Sequence, residues 1–211
     1  MKIVSLTNYW LRSLLSVPLE LIRLPFKLSF IGFYAIVQCL WPTEKKKGIT
    51  IIDFNPETRA DFATTIDTAL ALIEQNDARR FERVKREICL IVYDRWLVAP
   101  LDICTYFRAT KLCKINLGRI DFNKRPKYAM ALVAACIVHE ATHGLLFRRR
   151  LSFYFGRTKK RVEDVCQKEE IRLLLRLGYD LREFVTSNSS DNNINNPRYV
   201  ERFKDFLDAR D

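Results

Sequence analysis

The stretch KYAMALVAACIVHEATHGLLF, residues 127–147, decides how this chain is read. Nothing in it breaks a helix before Gly144, and its apolar residues are so dense that a helix here must be buried on most of its sides. Inside the run stand His139, Glu140 and His143, and these two histidines are the only ones in the 211-residue sequence. A glutamate and two imidazoles are costly to bury without partners, so the stretch predicts a polar site set into a core helix.

The five residues His139-Glu140-Ala141-Thr142-His143 form an HExxH pattern. Positions four apart on a helix share one face, so both imidazoles can reach one metal ion at about 2.0–2.1 Å. Glu140 sits roughly 100° round the helix axis from His139. It is close enough there to take a proton from metal-activated water without being a ligand. A catalytic zinc takes three protein ligands and keeps one position open. With no third histidine in the sequence, the third ligand must be Cys, Asp or Glu. Glu163 is the best placed, in KKRVEDVCQKEEIRLLLRLG (159–178), a second helix whose Val162, Val165, Ile171, Leu174 and Leu175 are expected to face inward.

An HExxH helix followed about twenty residues later by a helical Glu resembles the gluzincin group of zinc metallopeptidases, to which the thermolysin-like enzymes belong. The resemblance covers residues 115–170: a strand, the HExxH helix and the Glu helix. It implies Zn2+ held by His139, His143 and Glu163, with Glu140 as general base. In that group a small residue follows the Glu by three positions, and an Asp supporting a metal-binding His follows by four. Here those places hold Cys166 and Gln167. The Gln167 amide oxygen can accept an imidazole N–H, less strongly than a carboxylate. Glu170, seven residues after Glu163 and nearly on its face, is a second support candidate or an alternative ligand. The resemblance also implies that Lys114 to Arg119 form an edge strand that binds extended substrate, although an ordinary covered edge is as good a reading.

Outward from the site, the fold class expected is α+β, mostly helical, with a small sheet. ETRADFATTIDTALALIEQ (57–75) places Phe62, Ile66, Ala69, Leu70 and Ile73 at helical spacing, and 77–87 continues as a polar, charge-paired helix. The run ICLIVYDRWLV (88–98) reads as a strand or a buried helix. CKINLGRIDF (113–122) alternates at Ile115, Leu117 and Ile120 in the manner of an edge strand. Tyr154 and Tyr179 are candidate oxyanion donors that spacing does not place.

Residues 1–47 differ from the rest, being rich in Leu, Ile, Phe and Trp with thinly spaced Arg and Lys. The apolar run Leu28–Trp41 falls short of the roughly 20 residues of a spanning helix. Trp10, Arg12, Arg23, Lys27, Trp41 and Lys45–Lys47 suit an interfacial segment at headgroup level. A membrane-associated chain is therefore expected, with its catalytic domain on the cytoplasmic side; a hydrophobic arm packed on protein is the other reading. Residues 48–186 form the metallohydrolase domain, 187–197 an Asn-rich loop, and 198–211 an amphipathic helix docked on that domain.

The net charge of +11 favours polyanions. Arg148, Arg149, Arg150, Arg157, Lys159, Lys160 and Arg161 follow the HExxH helix with no acidic residue among them. A solvated face or contact with anionic lipid ranks ahead of nucleic acid. The alternatives to a membrane-associated peptidase acting on a peptide or protein substrate are two. One is a SprT-like nucleic-acid-associated protease, whose third ligand is normally a His that this chain lacks. The other is a non-catalytic zinc module, for which Glu140 would be superfluous. The six cysteines form no CxxC pair and are expected to be reduced, buried thiols. Oligomeric state is not legible.

Overall fold

The computed structural model describes residues 43–54, 58–93, 103–120, 122–123, 126–149, 151 and 157–180, with Gly32 in addition. The chain divides into two units, Met1–Pro42 and Thr43–Asp211. The expectations for the apolar segment up to residue 42, for Tyr154, for the loop 187–197 and for the terminal helix 198–211 lie outside the described residues.

The second unit is α+β and mostly helical, with a five-stranded mixed sheet and four α-helices among the described residues. The strands are β1 (Glu44–Lys46), β2 (Ile49–Asp53), β3 (Leu90–Tyr93), β4 (Cys104–Phe107) and β5 (Leu112–Ile115), in the order β1-β2-β3-β5-β4. β2, β3 and β5 run parallel, while β1 and β4 pair antiparallel at the two ends. Lys47 and Gly48 link β1 to β2 with φ of 50° and 87°, the positive values that a tight hairpin turn requires. The boundary between the units therefore precedes the one read at residue 47. Lys45 and Lys46 belong to a sheet strand, and Lys47 pairs with Glu74 rather than standing in an anchor segment.

Parallel strands need a long crossover, and α1 (Arg59–Asn76) and α2 (Ala78–Glu87) supply it between β2 and β3. The expected apolar stripe of α1 is fully buried. The two helices break at Asp77, whose backbone N–H donates to the Ile73 carbonyl and whose side chain accepts from Arg80 N at 3.0 Å. This is an N-cap that ends one helix and starts the next.

β5 corrects the edge-strand expectation. It lies between β3 and β4, with Lys114 opposite Val92 on one side and Thr105 on the other, so it has no free edge for an added strand. All four of its residues are buried. The alternation through Leu117 and Ile120 is coincidental. Asn116 accepts the Gly118 N–H at 3.1 Å and turns the chain into a 3-10 turn at Leu117–Arg119.

α3 (Pro126–Arg148) carries the HExxH residues, and α4 (Arg157–Arg176) packs against it. α3 is the one described helix long and apolar enough to cross a membrane, with mean hydropathy 1.5 over its most apolar window. That window is 67% buried inside the unit, as a core helix would be. α3 packs tightly at Gly144: a Cβ there would lie 2.8 Å from Glu87 Cβ and 2.9 Å from Tyr106 Oη. On α4, Val162, Ile171 and Leu174 are buried as expected. Val165 and Leu175 are exposed instead, and Leu173 takes an inward place. The side chains of β2, β3 and β5 that join the helices in one core are Ile49, Ile51, Ile91, Cys113 and Ile115.

Candidate metal centre

His139 and His143 stand one turn apart on α3, with ring centroids 5.0 Å apart. Glu163 of α4 reaches between them. Its Oε2 is 3.6 Å from His139 Nε2 and 3.7 Å from His143 Nε2. Two ligands held about 2.0–2.1 Å from one tetrahedral ion stand about 3.4 Å apart, so these three donors converge almost as a metal would require.

The other ring nitrogen of His139 is also engaged. Its Nδ1 lies 3.0 Å from Oε2 of Glu170, which is 2% exposed. A carboxylate there accepts Nδ1–H and leaves Nε2 free, fixing both tautomer and ring orientation for a ligand. The structure thus brings Glu170 to the supporting position, where the sequence offered Gln167 and Glu170 together.

Cys166, which sequence reading treated only as a small packing residue, is fully buried. Its sulfur and one ring nitrogen from each of His139 and His143 all lie within 4.8 Å of one another, so these three could also hold a metal ion. A carboxylate and a thiol, both from α4, therefore approach the same pair of imidazoles. The clue to Cys166 was its spacing, since i and i+3 share a helix face and Cys166 follows Glu163 by three.

The electrostatics follow from this crowding. Burial works against protonation of His139, but its contacts with Glu163 and Glu170 win and hold its pKa well above the ordinary imidazole value in the metal-free chain. Burial raises Glu163, and the two imidazoles outweigh that and drive it below the carboxylate range. Glu140 is 6% exposed; burial raises its pKa, the histidines oppose the rise, and Glu163 and Glu170 add to it.

A second layer of charge fixes the helices. Arg83 of α2 donates to Thr142 Oγ1 at 3.0 Å and to Glu169 Oε2 at 2.8 Å. The first contact is inside the HExxH segment, and the second is beside Glu170. Arg80 approaches the same Glu169 oxygen at 3.3 Å and also pairs with Asp77. At the far end of α3, Arg148 is tied to the buried Glu87 at 2.9 Å, so it is not part of an unpaired basic face. Tyr179 is removed from the site: it donates to the Lys127 carbonyl at 2.9 Å, twelve residues before His139, or about 18 Å along a helix. It supplies no oxyanion contact there.

Among the described cysteines, Cys89, Cys104, Cys113, Cys136 and Cys166 are all free thiols, and three of them are buried. Cys89 is exposed, against the expectation of burial. Comparison of the chain with protein families, curated proteins and solved structures finds no match.

Proposed function

We propose that this chain is a zincin-like metallohydrolase that cleaves peptide bonds, with His139, His143 and Glu163 holding a zinc-class ion and Glu140 as the base. The observation that carries this reading is the convergence of one carboxylate oxygen on both Nε2 atoms while Glu170 occupies Nδ1 of His139. An accidental pair of buried histidines needs no such division between its two nitrogens.

When bound, such an ion supplies a Lewis acid that acidifies water and polarises a carbonyl. Glu140 supplies the proton transfer. Buried next to His139 on α3, it would take a proton from the attacking water and return it to the leaving amine. Glu170 orients His139, and Arg83 holds Thr142 and Glu169 so that the two site-bearing helices keep their spacing. Membrane contact through residues 1–42 belongs to the same reading and rests on their composition.

The test is hydrolysis of a mixed peptide library by the zinc-loaded full-length chain. Cleavage lost on chelation, restored by zinc and lost in Glu140→Gln supports the reading. A Glu140→Gln variant that cleaves as well as wild type refutes it. Cys166 is the one observation that favours a non-catalytic metal module, because a fourth protein donor would leave no place for water.

A further inference from the structure

Cys166 follows Glu163 by three residues on α4, and both side chains are directed at the same pair of histidines. They differ in access. The Glu163 side chain is 33% exposed, whereas Cys166 is fully buried and packs with Leu146 and Val162. The histidines therefore meet a carboxylate on the open side of the site and a thiol on its closed side.

A thiolate binds zinc-class ions at about 2.3 Å, slightly farther than an imidazole nitrogen does, so a sulfur and a nitrogen sharing one tetrahedral ion stand about 3.6 Å apart. The separation of at most 4.8 Å between the Cys166 sulfur and the histidine nitrogens is compatible with that after a small side-chain adjustment. Mere packing would explain a small residue here, but not a sulfur grouped with a ring nitrogen of each histidine.

We propose that Cys166 is a fourth protein ligand, so that the loaded centre is closed to water at rest and opens when one protein ligand yields. Glu163, on the exposed side, is the ligand placed to yield. No redox change is involved: the thiol gives its proton to solvent as the metal–sulfur bond forms. This rests on the metal reading above and adds to it a means of regulating that site.

The probe is Co2+, bound to the full-length protein in detergent, with cobalt content measured per chain. The expected result is a near-ultraviolet thiolate-to-cobalt charge-transfer band in wild type. It disappears in Cys166→Ala and Cys166→Ser while cobalt content is kept, and it persists in Cys136→Ala, whose thiol lies one turn before His139. Azide should shift the visible cobalt bands of Cys166→Ala and leave those of wild type unchanged. Stoichiometric cobalt in wild type without the charge-transfer band overturns the assignment of Cys166 and leaves the three-ligand centre standing. So does a band that survives in Cys166→Ala. A folded wild-type chain that binds no cobalt overturns the metal reading itself.

Discussion

Replacing Glu170 by alanine removes the carboxylate that holds His139 Nδ1. The contact is 3.0 Å long, and the glutamate is 2% exposed, so bulk water is poorly placed to substitute for it. The imidazole then gains rotational freedom and access to the tautomer that masks Nε2. Loss of a partner of this kind costs about 10–100-fold in metal affinity, equivalent to about 1.4–2.7 kcal/mol. Burial and charge assistance place this case toward the upper end. Folding stability should respond less. Among the described residues Glu170 Oε1 has no hydrogen-bond partner, so alanine relieves a desolvation penalty as it removes the carboxylate. Glu170→Gln keeps an accepting oxygen and should lose about tenfold or less. Competition titration of the full-length protein against a zinc chelator measures the affinities, and thermal melts of the metal-free chains measure the stability. A folded Glu170→Ala variant binding zinc within about twofold of wild type would refute the assigned role of the His139–Glu170 contact, since the reasoning requires at least about tenfold.

Three other outcomes are expected. Glu140→Gln should retain zinc within a few-fold and lose at least about 100-fold in peptide hydrolysis, read from metal content and turnover on the same sample. Gly144→Ala should destabilise the metal-free chain by up to about 2 kcal/mol in urea titrations, because an overpacking penalty of about 1–3 kcal/mol exceeds the roughly 1 kcal/mol of helix propensity that alanine adds. A more stable variant would refute the close approach of α3 to Glu87 and Tyr106. Asp77 and Glu169 both have pKa values lowered in the fold: burial opposes the shift, and contacts with Arg80 for Asp77 and with Arg83 and Arg172 for Glu169 outweigh it. Their contribution is complete above the unfolded values near 3.8 and 4.5 and is lost as pH falls through the lower folded values. Stability should therefore drop more steeply below about pH 4 in wild type than in Asp77→Asn. Equal slopes in acid unfolding curves would count against the Arg80–Asp77–Glu169 network.

What was legible in the sequence was what a single helix carries. The apolar density around His139 and His143 marked α3 as a buried element, and the heptad-like spacing from Phe62 to Ile73 marked α1. The second follows from a period of 3.6 residues, the first from an apolar run too long and too dense for one face. The sheet was far less legible. β1 and β2 are short, and the three lysines before Gly48 looked like a headgroup anchor, although they lie in a hairpin. β5 read as an edge because Ile115, Leu117 and Ile120 happened to alternate. Its true place between β3 and β4 depends on pairings at long sequence separation. At the site, spacing on α4 brought Glu163 and Glu170 forward but did not rank Glu170 above Gln167, since that depends on how α4 is rotated against α3. The same rotation turns Val165 and Leu175 outward and brings the Cys166 sulfur to the histidines.

The central claim is that α3 and α4 together hold one metal ion. Its most direct test is the zinc content of purified full-length protein by elemental mass spectrometry, compared among wild type, His143→Ala and Glu163→Ala. About one zinc per chain in wild type, largely lost in His143→Ala and weakened in Glu163→Ala, is the expected result. A folded wild-type chain that takes up no zinc, or one whose zinc is indifferent to both substitutions, would contradict it.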